Sequence, residues 1–419
     1  MWRALASNAL TLFIVGFVLM AGLIAWGQQK YVKPGPLVQT ICFKVGKGAS
    51  MSAVSAALQQ QGAVSDARIF RIGAEYSGKT KLLKFGSYLL EPGASMQAVA
   101  VALTTSGQST CGQDVNLRIG VTGAEVVLRS YDAATGGYVE VAKFDPSAGA
   151  APAAYVTAEA NADLRWRVTL AEGVTSWQVV QSLKAADFLT GDVKAVPLEG
   201  TLAPQSYEVE KASDRAALLA EMTAKQTGIL AELWAGRADG LPYKTPQDAM
   251  IMASIVEKET GVAEERAKVA SVFLNRLAQG IKLQTDPTVI YGVTKGQGLL
   301  GRGLRQSEIR RATPWNTYVV PGLPATPICN PGRAAMEAAL KPDNTDLLFF
   351  VADGSGGHAF AATLAEHNKN VAKWRALQAT GAGDAGGTGS GIGTGVGTGT
   401  GSGPDSGAVD NTVTAPSGN

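Results

Sequence analysis

Histidine and cysteine are scarce in this chain. Its 419 residues include two histidines, His358 and His367, and three cysteines, Cys42, Cys111 and Cys329. No cluster of His, Cys and acidic residues has metal-ligand spacing, which argues against a structural or catalytic zinc; no cofactor is implied. Cys42 and Cys111 bracket a compact segment and are placed to bridge in an exported protein, but the odd count leaves the pairing open. Excess charge is lacking as well: 37 Lys and Arg stand against 35 Asp and Glu, a net charge of +2. So balanced a chain points neither to nucleic acid nor to an anionic surface. Only one long apolar run exists, Ala9 to Trp26, in a stretch with no charged residue between Arg3 and Lys30. It is long enough to span a membrane and long for a signal-peptide core. Ala25-Trp26-Gly27 is a weak cleavage site, so a retained anchor over 9–26 is favoured, behind a short tail at 1–8. Basic residues flank the run on both sides, so the positive-inside rule gives no orientation. The short amino-terminal tail places the rest of the chain outside the cytoplasm. From about Ala379 aromatics almost vanish among Gly, Thr, Ser and Ala, a composition that builds no core; 378–419 reads as a disordered tail. About 350 residues remain between, enough for two or three domains.

An internal repeat follows the anchor. Gly48-Ala-Ser-Met-Ser-Ala-Val-Ser-Ala-Ala-Leu58 returns as Gly93-Ala-Ser-Met-Gln-Ala-Val-Ala-Val-Ala-Leu103, and more loosely as Gly173-Val-Thr-Ser-Trp-Gln-Val-Val-Gln-Ser-Leu183. Each copy follows a strand-like run and carries Ser50, Ser95 or Thr175 where a helix cap belongs. Each therefore predicts a strand, a Gly turn and a short capped helix. Such units occur in carbohydrate-binding modules and equally in plain packing modules. Between Asn116 and Arg165 the pattern becomes β: Glu125 to Tyr131 and Tyr138 to Lys143 alternate as a hairpin across Asp132 to Gly137. Asp145 to Asp163, with two prolines, reads as a loop or linker.

The second half centres on Met250 to Gly292. A helix from Asp214 to Ala235, ended by Gly236, leads into it. Thr245-Pro246 starts the next helix, with Asp248 three residues past the cap. From Ala249 to Val256 nothing is charged and the apolar side chains fall all round the wheel, so this helix is expected buried. It stops in Glu257-Lys258-Glu259. Glu257 shares a face with Met250 and Ser254, and burying a lone carboxylate makes it a proton donor near neutral pH. Glu259 lies roughly 160° further round; it faces a cleft, pairs with Lys258 or Arg266, or sits in water. A solvated helix end is the alternative for both. A further helix from about Glu264 to Gln279 carries the stripe Val269, Val272, Phe273 and Leu277, with Asn275 and Arg276 off it on a face expected to be solvated. The later chain is loop-rich until Leu347 to Ala352, a buried-strand run. Asp353 to His358 is a Gly turn whose imidazole reads as a structural hydrogen-bonder.

Ala253-Ser-Ile-Val-Glu-Lys-Glu-Thr260 resembles the endolytic murein transglycosylase (YceG-like) family. The similarity runs on through Val269 to Arg276, Leu283-Gln-Thr-Asp-Pro-Thr-Val-Ile-Tyr-Gly292, Asn316-Thr-Tyr318, Gly322-Leu-Pro324, Asn330-Pro-Gly332, Phe350 to Gly354 and Gly357-His358. These enzymes cut glycan strands of nascent peptidoglycan from a single-pass anchor in the inner membrane, with their carboxy-terminal domains in the periplasm. The resemblance implies an α+β fold: a LysM-like subdomain at 40–110, a β-hairpin insertion at 111–166 and a mixed α/β catalytic domain at 167–377. It implies Glu257 as catalytic acid/base, and Asn275, Gln284, Thr285, Asp286, Tyr291, Asn316 and Tyr318 as candidates to line the cleft. Asp286-Pro287 reads equally as a turn, and Asn316 as a structural amide. Partners would be glycan strands, the membrane and peptidoglycan synthases. Ala325-Thr326 departs from the Pro-Gly expected after the Gly-Leu-Pro turn, and the Gly-Thr tail is an extra. Two rival readings remain: a non-catalytic peptidoglycan-binding scaffold, and a hydrolase pairing Glu257 with Glu259 or Asp286.

Overall fold

The computed structural model describes residues 2–105, 109–132 and 134–379. The tail expected at 378–419 lies almost entirely outside them. The fold is mixed α+β, and its contacts divide the chain into two units: Met1–Glu232 with Cys329–Gly332, and Leu233–Ile328 with the rest.

The first unit opens with helix α1, Trp2–Val32. Its segment Leu10–Val32 is, among the described residues, the one helix long and apolar enough to cross a membrane. Then come β1 (Ile41–Val45), α2 (Met51–Gln60), α3 (Ala67–Tyr76), β2 (Gly86–Leu90) and α4 (Met96–Thr105). β1 and β2 pair antiparallel, Ile41 opposite Leu90 and Val45 opposite Gly86. Phe43, Leu58, Phe70, Tyr88 and Leu103 fill the core beneath them. The three repeats fold alike. Gly48, Gly93 and Gly173 turn the chain at φ +76°, +70° and +78°, a region glycine enters without strain. The next helix is then capped: Ser50 Oγ accepts from Ala53 N at 3.2 Å, Ser95 Oγ from Ala98 N at 3.1 Å and Thr175 Oγ1 from Gln178 N at 3.3 Å. Cys42 and Cys111 form a disulfide, with Cα atoms 5.8 Å apart.

The remaining strands of this unit are β3 (Gln113–Ile119), β4 (Ala124–Asp132), β5 (Gly137–Phe144), β6 (Arg165–Leu170), β7 (Leu189–Thr190), β8 (Ser206–Val209) and β9 (Ser213–Asp214). Five of them form one sheet in the order β5-β4-β3-β6-β8. The predicted hairpin is β4–β5, and it is continuous with this sheet: β4 pairs antiparallel with β3, which pairs parallel with β6. The segment read as a linker holds helix α5 (Ala153–Ala158), whose buried Tyr155 donates to Asp187 Oδ1 at 2.6 Å. Helices α6 (Ser176–Ala185) and α7 (Arg215–Ala235) follow, and Val168, Leu183 and Met222 join Leu117 in the second core of this unit. Residues 329–332 also belong here. Asn330 is fully buried; its amide donates to Val174 O at 3.0 Å and accepts from Leu202 N at 2.9 Å. Gln226 Nε2 donates to Pro331 O at 3.0 Å.

The second unit is mostly helical: α8 (Pro246–Glu259), α9 (Arg266–Ala278) after a 3-10 turn at Ala263–Glu265, α10 (Asp286–Thr294), α11 (Gln306–Ile309), α12 (Arg333–Leu340) and α13 (Leu364–Ala379). β10 (Phe349–Ala352) and β11 (His358–Ala361) pair antiparallel. Thr245 and Asp248 form the capping box that starts α8, and every residue from Ala249 to Val256 is buried, against α9 and α12 among others.

Candidate active site

Helix α8 carries its apolar residues into the core of the second unit and ends in the acidic pair. Glu257 is half-buried. Glu259, the last helical residue, is 7% exposed and lies two residues on, about 160° round the helix. Thr285 Oγ1 donates to Glu259 Oε1. Thr285 is itself fixed: its N–H donates to Thr317 Oγ1 at 3.1 Å, and its carbonyl accepts from Thr288 Oγ1 at 2.7 Å. Gln284, just before it, holds a left-handed backbone at φ +50°, a strained conformation for a residue with a Cβ and one that gathers at functional sites.

Asp286 opens α10 beside this threonine and accepts from Tyr318 OH at 2.7 Å. Arg276 comes from α9 with its guanidinium forked onto main chain, Nε to Leu348 O at 2.7 Å and Nη1 to Leu283 O at 2.6 Å. Glu259, Asp286, Arg276 and Tyr318 feel one another's charge. Burial drives the Glu259 carboxyl up to about 7; the Thr285 bond opposes this, the Asp286 charge adds to it and the Arg276 charge opposes it. Asp286 is raised too, by burial, against the pull of its bond from Tyr318. Burial brings Arg276 down to about 10, which leaves it cationic at neutral pH. Burial and the Asp286 carboxylate push the Tyr318 phenol up, so it stays a donor. The result is a glutamic acid that titrates at about 7, beside a second carboxylate and a fixed cation.

Three of the predicted lining residues, Thr285, Asp286 and Tyr318, meet at Glu259. Gln284 adjoins them, its N–H donating to Thr317 O at 3.2 Å. Asn275 is committed elsewhere: its amide donates to Thr345 O at 2.8 Å and Leu347 O at 2.9 Å. Asn316 is the structural amide that its alternative reading described, donating to Ile309 O and Arg311 O at 2.8 and 2.7 Å. The Tyr291 ring packs against Trp315, centroids 5.7 Å apart. Asp286-Pro287 starts a helix and is not a free turn. Arg276, read as part of a solvated face, is a half-buried member of the cluster. A long cation off an apolar stripe looks solvated in sequence, and only the segments that return over it, 283 and 348, reveal its burial. His358 anchors the Gly turn by placing both its backbone N–H and Nδ1 on Glu265, at 2.8 and 2.7 Å.

A buried acid cluster within a mainly helical unit with one short two-stranded sheet describes the fold and the candidate site, and comparison narrows the family. A model of the YceG-like family matches residues 139–373, more than half of the chain, and the chain belongs to that family. It is 28% identical over 342 residues to a Bacillus subtilis (strain 168) protein named endolytic murein transglycosylase, spanning 80% of this chain and 85% of that one. A protein of the same name from Streptococcus pneumoniae serotype 2 (strain D39) is 27% identical over 354 residues; the match spans 82% of this chain and 58% of that longer one. A crystal structure of a YceG-like protein from Listeria monocytogenes aligns with TM-score 0.42 and 24% identity, over 79% of this chain and 98% of that one.

Proposed function

We propose that this protein is an endolytic peptidoglycan lytic transglycosylase, a lyase that cuts the β-1,4 bond between MurNAc and GlcNAc in nascent glycan strands and so terminates their elongation. The observation that carries the reading is the buried Glu259, with its carboxyl up at about 7, in a chain of the YceG-like family. We place the acid/base role at Glu259 on its burial and raised carboxyl, with the half-buried Glu257, which the family resemblance implies, as the other candidate. Protonated Glu259 donates to the glycosidic oxygen as the C1–O bond breaks. The resulting carboxylate takes the proton of the C6 hydroxyl of the same MurNAc, whose oxygen closes on C1. The product is a 1,6-anhydro ring, no water is consumed, and the acid is regenerated. Arg276 holds the carboxylate stage in check, and Tyr318 and Thr285 orient the two acids.

The finer architecture belongs to this proposal. The β1–α2–α3–β2 order and its repeated capped turns support a LysM-like subdomain over 40–110. The 111–166 insertion and the 167–377 catalytic domain are taken with it. α1 serves as a single-pass anchor, its long apolar run favouring retention, with the later domains in the periplasm within reach of peptidoglycan synthases. Asp286 beside Glu259 gives the hydrolase reading its own support, since paired carboxylates are what ordinary glycosidases use.

Mass spectrometry of un-crosslinked glycan strands treated with the purified protein separates these readings. Anhydro-muramic ends are expected from the wild type and from Glu257→Gln, with a loss of about 10²-fold or more in Glu259→Gln. Free reducing ends would establish the hydrolase, and uncut strands the scaffold. Loss in Glu257→Gln with retention in Glu259→Gln would return the acid/base role to Glu257.

A further inference from the structure

The surface of α3 and the turn behind it departs from the even charge of the whole chain. Residues 67–85 hold five basic side chains, Arg68, Arg71, Lys79, Lys81 and Lys84, against one acid, Glu75. Among them four large apolar side chains stand open: Ile72 is 63% exposed, Tyr76 89%, Leu82 51% and Phe85 45%. Arg68, Ile72 and Tyr76 follow one another at four-residue intervals along one face of α3. Phe70 and Ala74 fill the core from the other side of the same helix. Exposed apolar side chains interleaved with basic ones in one segment are the composition of a stretch that lies in a bilayer interface.

Helix α1 fixes the height of this surface. The Tyr31 ring lies so close to Gly73 of α3 that a Cβ there would stand 2.3 Å from a ring carbon. Tyr31 is five residues beyond Trp26, where the apolar run ends, a rise of about 8 Å along a helix. The headgroup layer on each side of a bilayer is about 5–8 Å deep. With Trp26 at the aromatic boundary of the hydrocarbon, Tyr31 stands among the headgroups, and α3 crosses it there.

We propose that α3 and the 79–85 turn dock on the surface of a bilayer carrying anionic lipid. The open apolar side chains enter the acyl boundary, and the basic ones meet lipid phosphates. The inference rests on α1 being a bilayer anchor, and its test keeps the two apart. The full chain is reconstituted into phosphatidylcholine nanodiscs with or without phosphatidylglycerol, bearing a spin label at Leu82→Cys or, as a water reference, at exposed Ala148→Cys. Cys329, which lies outside the Cys42–Cys111 disulfide, is buried. In anionic discs the label at 82 is expected to meet oxygen more readily than a nickel chelate, and Lys81→Glu with Lys84→Glu to return it to the value at 148. Water-like accessibility at 82 in anionic discs overturns the proposal, as does equal burial in discs without anionic lipid. A chain that does not co-purify with discs at all overturns the anchor itself, and the docking with it.

Discussion

At the residue scale the site is a balance of opposed fields on one proton. Glu259 is raised by burial and by Asp286 and lowered by Thr285 and Arg276, so single substitutions should move it in opposite directions. As the proposed acid, Glu259 acts while protonated, so activity should fall as pH rises through its value of about 7. Removing the neighbouring anion with Asp286→Asn stabilises the ionised form, and the alkaline limb of the pH–rate profile should move down by about one pH unit. Removing the cation with Arg276→Gln should move it up by a similar amount. Rate measurements on glycan strands between pH 5 and pH 9 check both, at roughly those limits; shifts of the same sign would mean that the cluster does not act on Glu259. The family resemblance puts the acid/base at Glu257, and local physics alone does not separate it from Glu259. A helix apolar on every side has no solvent face, so the wheel does not say which of two terminal acids points into the protein.

At the element scale, local rules carried far. The Gly turn and capping hydroxyl of each repeat are contiguous in sequence, and all three formed as expected, as did the Thr245–Asp248 capping box. What failed was either too short or too distant to leave a period. Helix α5 is six residues long in an Ala-rich stretch with two prolines, and it is held by the Tyr155–Asp187 bond to residues far along the chain. The parallel pairing of β3 with β6 likewise depends on strands more than forty residues apart, about which neither strand's own alternation speaks. The Cys42–Cys111 bridge settles a pairing that the odd cysteine count left open, and it closes a separation of 69 residues. A loop of that length is worth about 4 kcal/mol in the chain-entropy account. The Cys42→Ser, Cys111→Ser double variant should lower unfolding stability by that order in denaturant titration. Glycan cleavage at 25 °C should persist, because the acid cluster lies in the other unit.

At the scale of the whole molecule, Asn330 changes what counts as a part. The chain completes the first unit, builds most of the second, returns four residues to the first, and then goes back. Leu202 N–H and Val174 O in the first unit depend on a side chain encoded more than a hundred residues later. A buried amide left without its partner costs about 1–3 kcal/mol, so a fragment ending at 232 should unfold at lower denaturant than the same region within the full chain. The gene therefore offers no single cut that yields two self-sufficient products. Recombination that exchanged the amino-terminal portion alone would have to bring a matching Asn-Pro-Gly with it, so the two portions are bound to be inherited together.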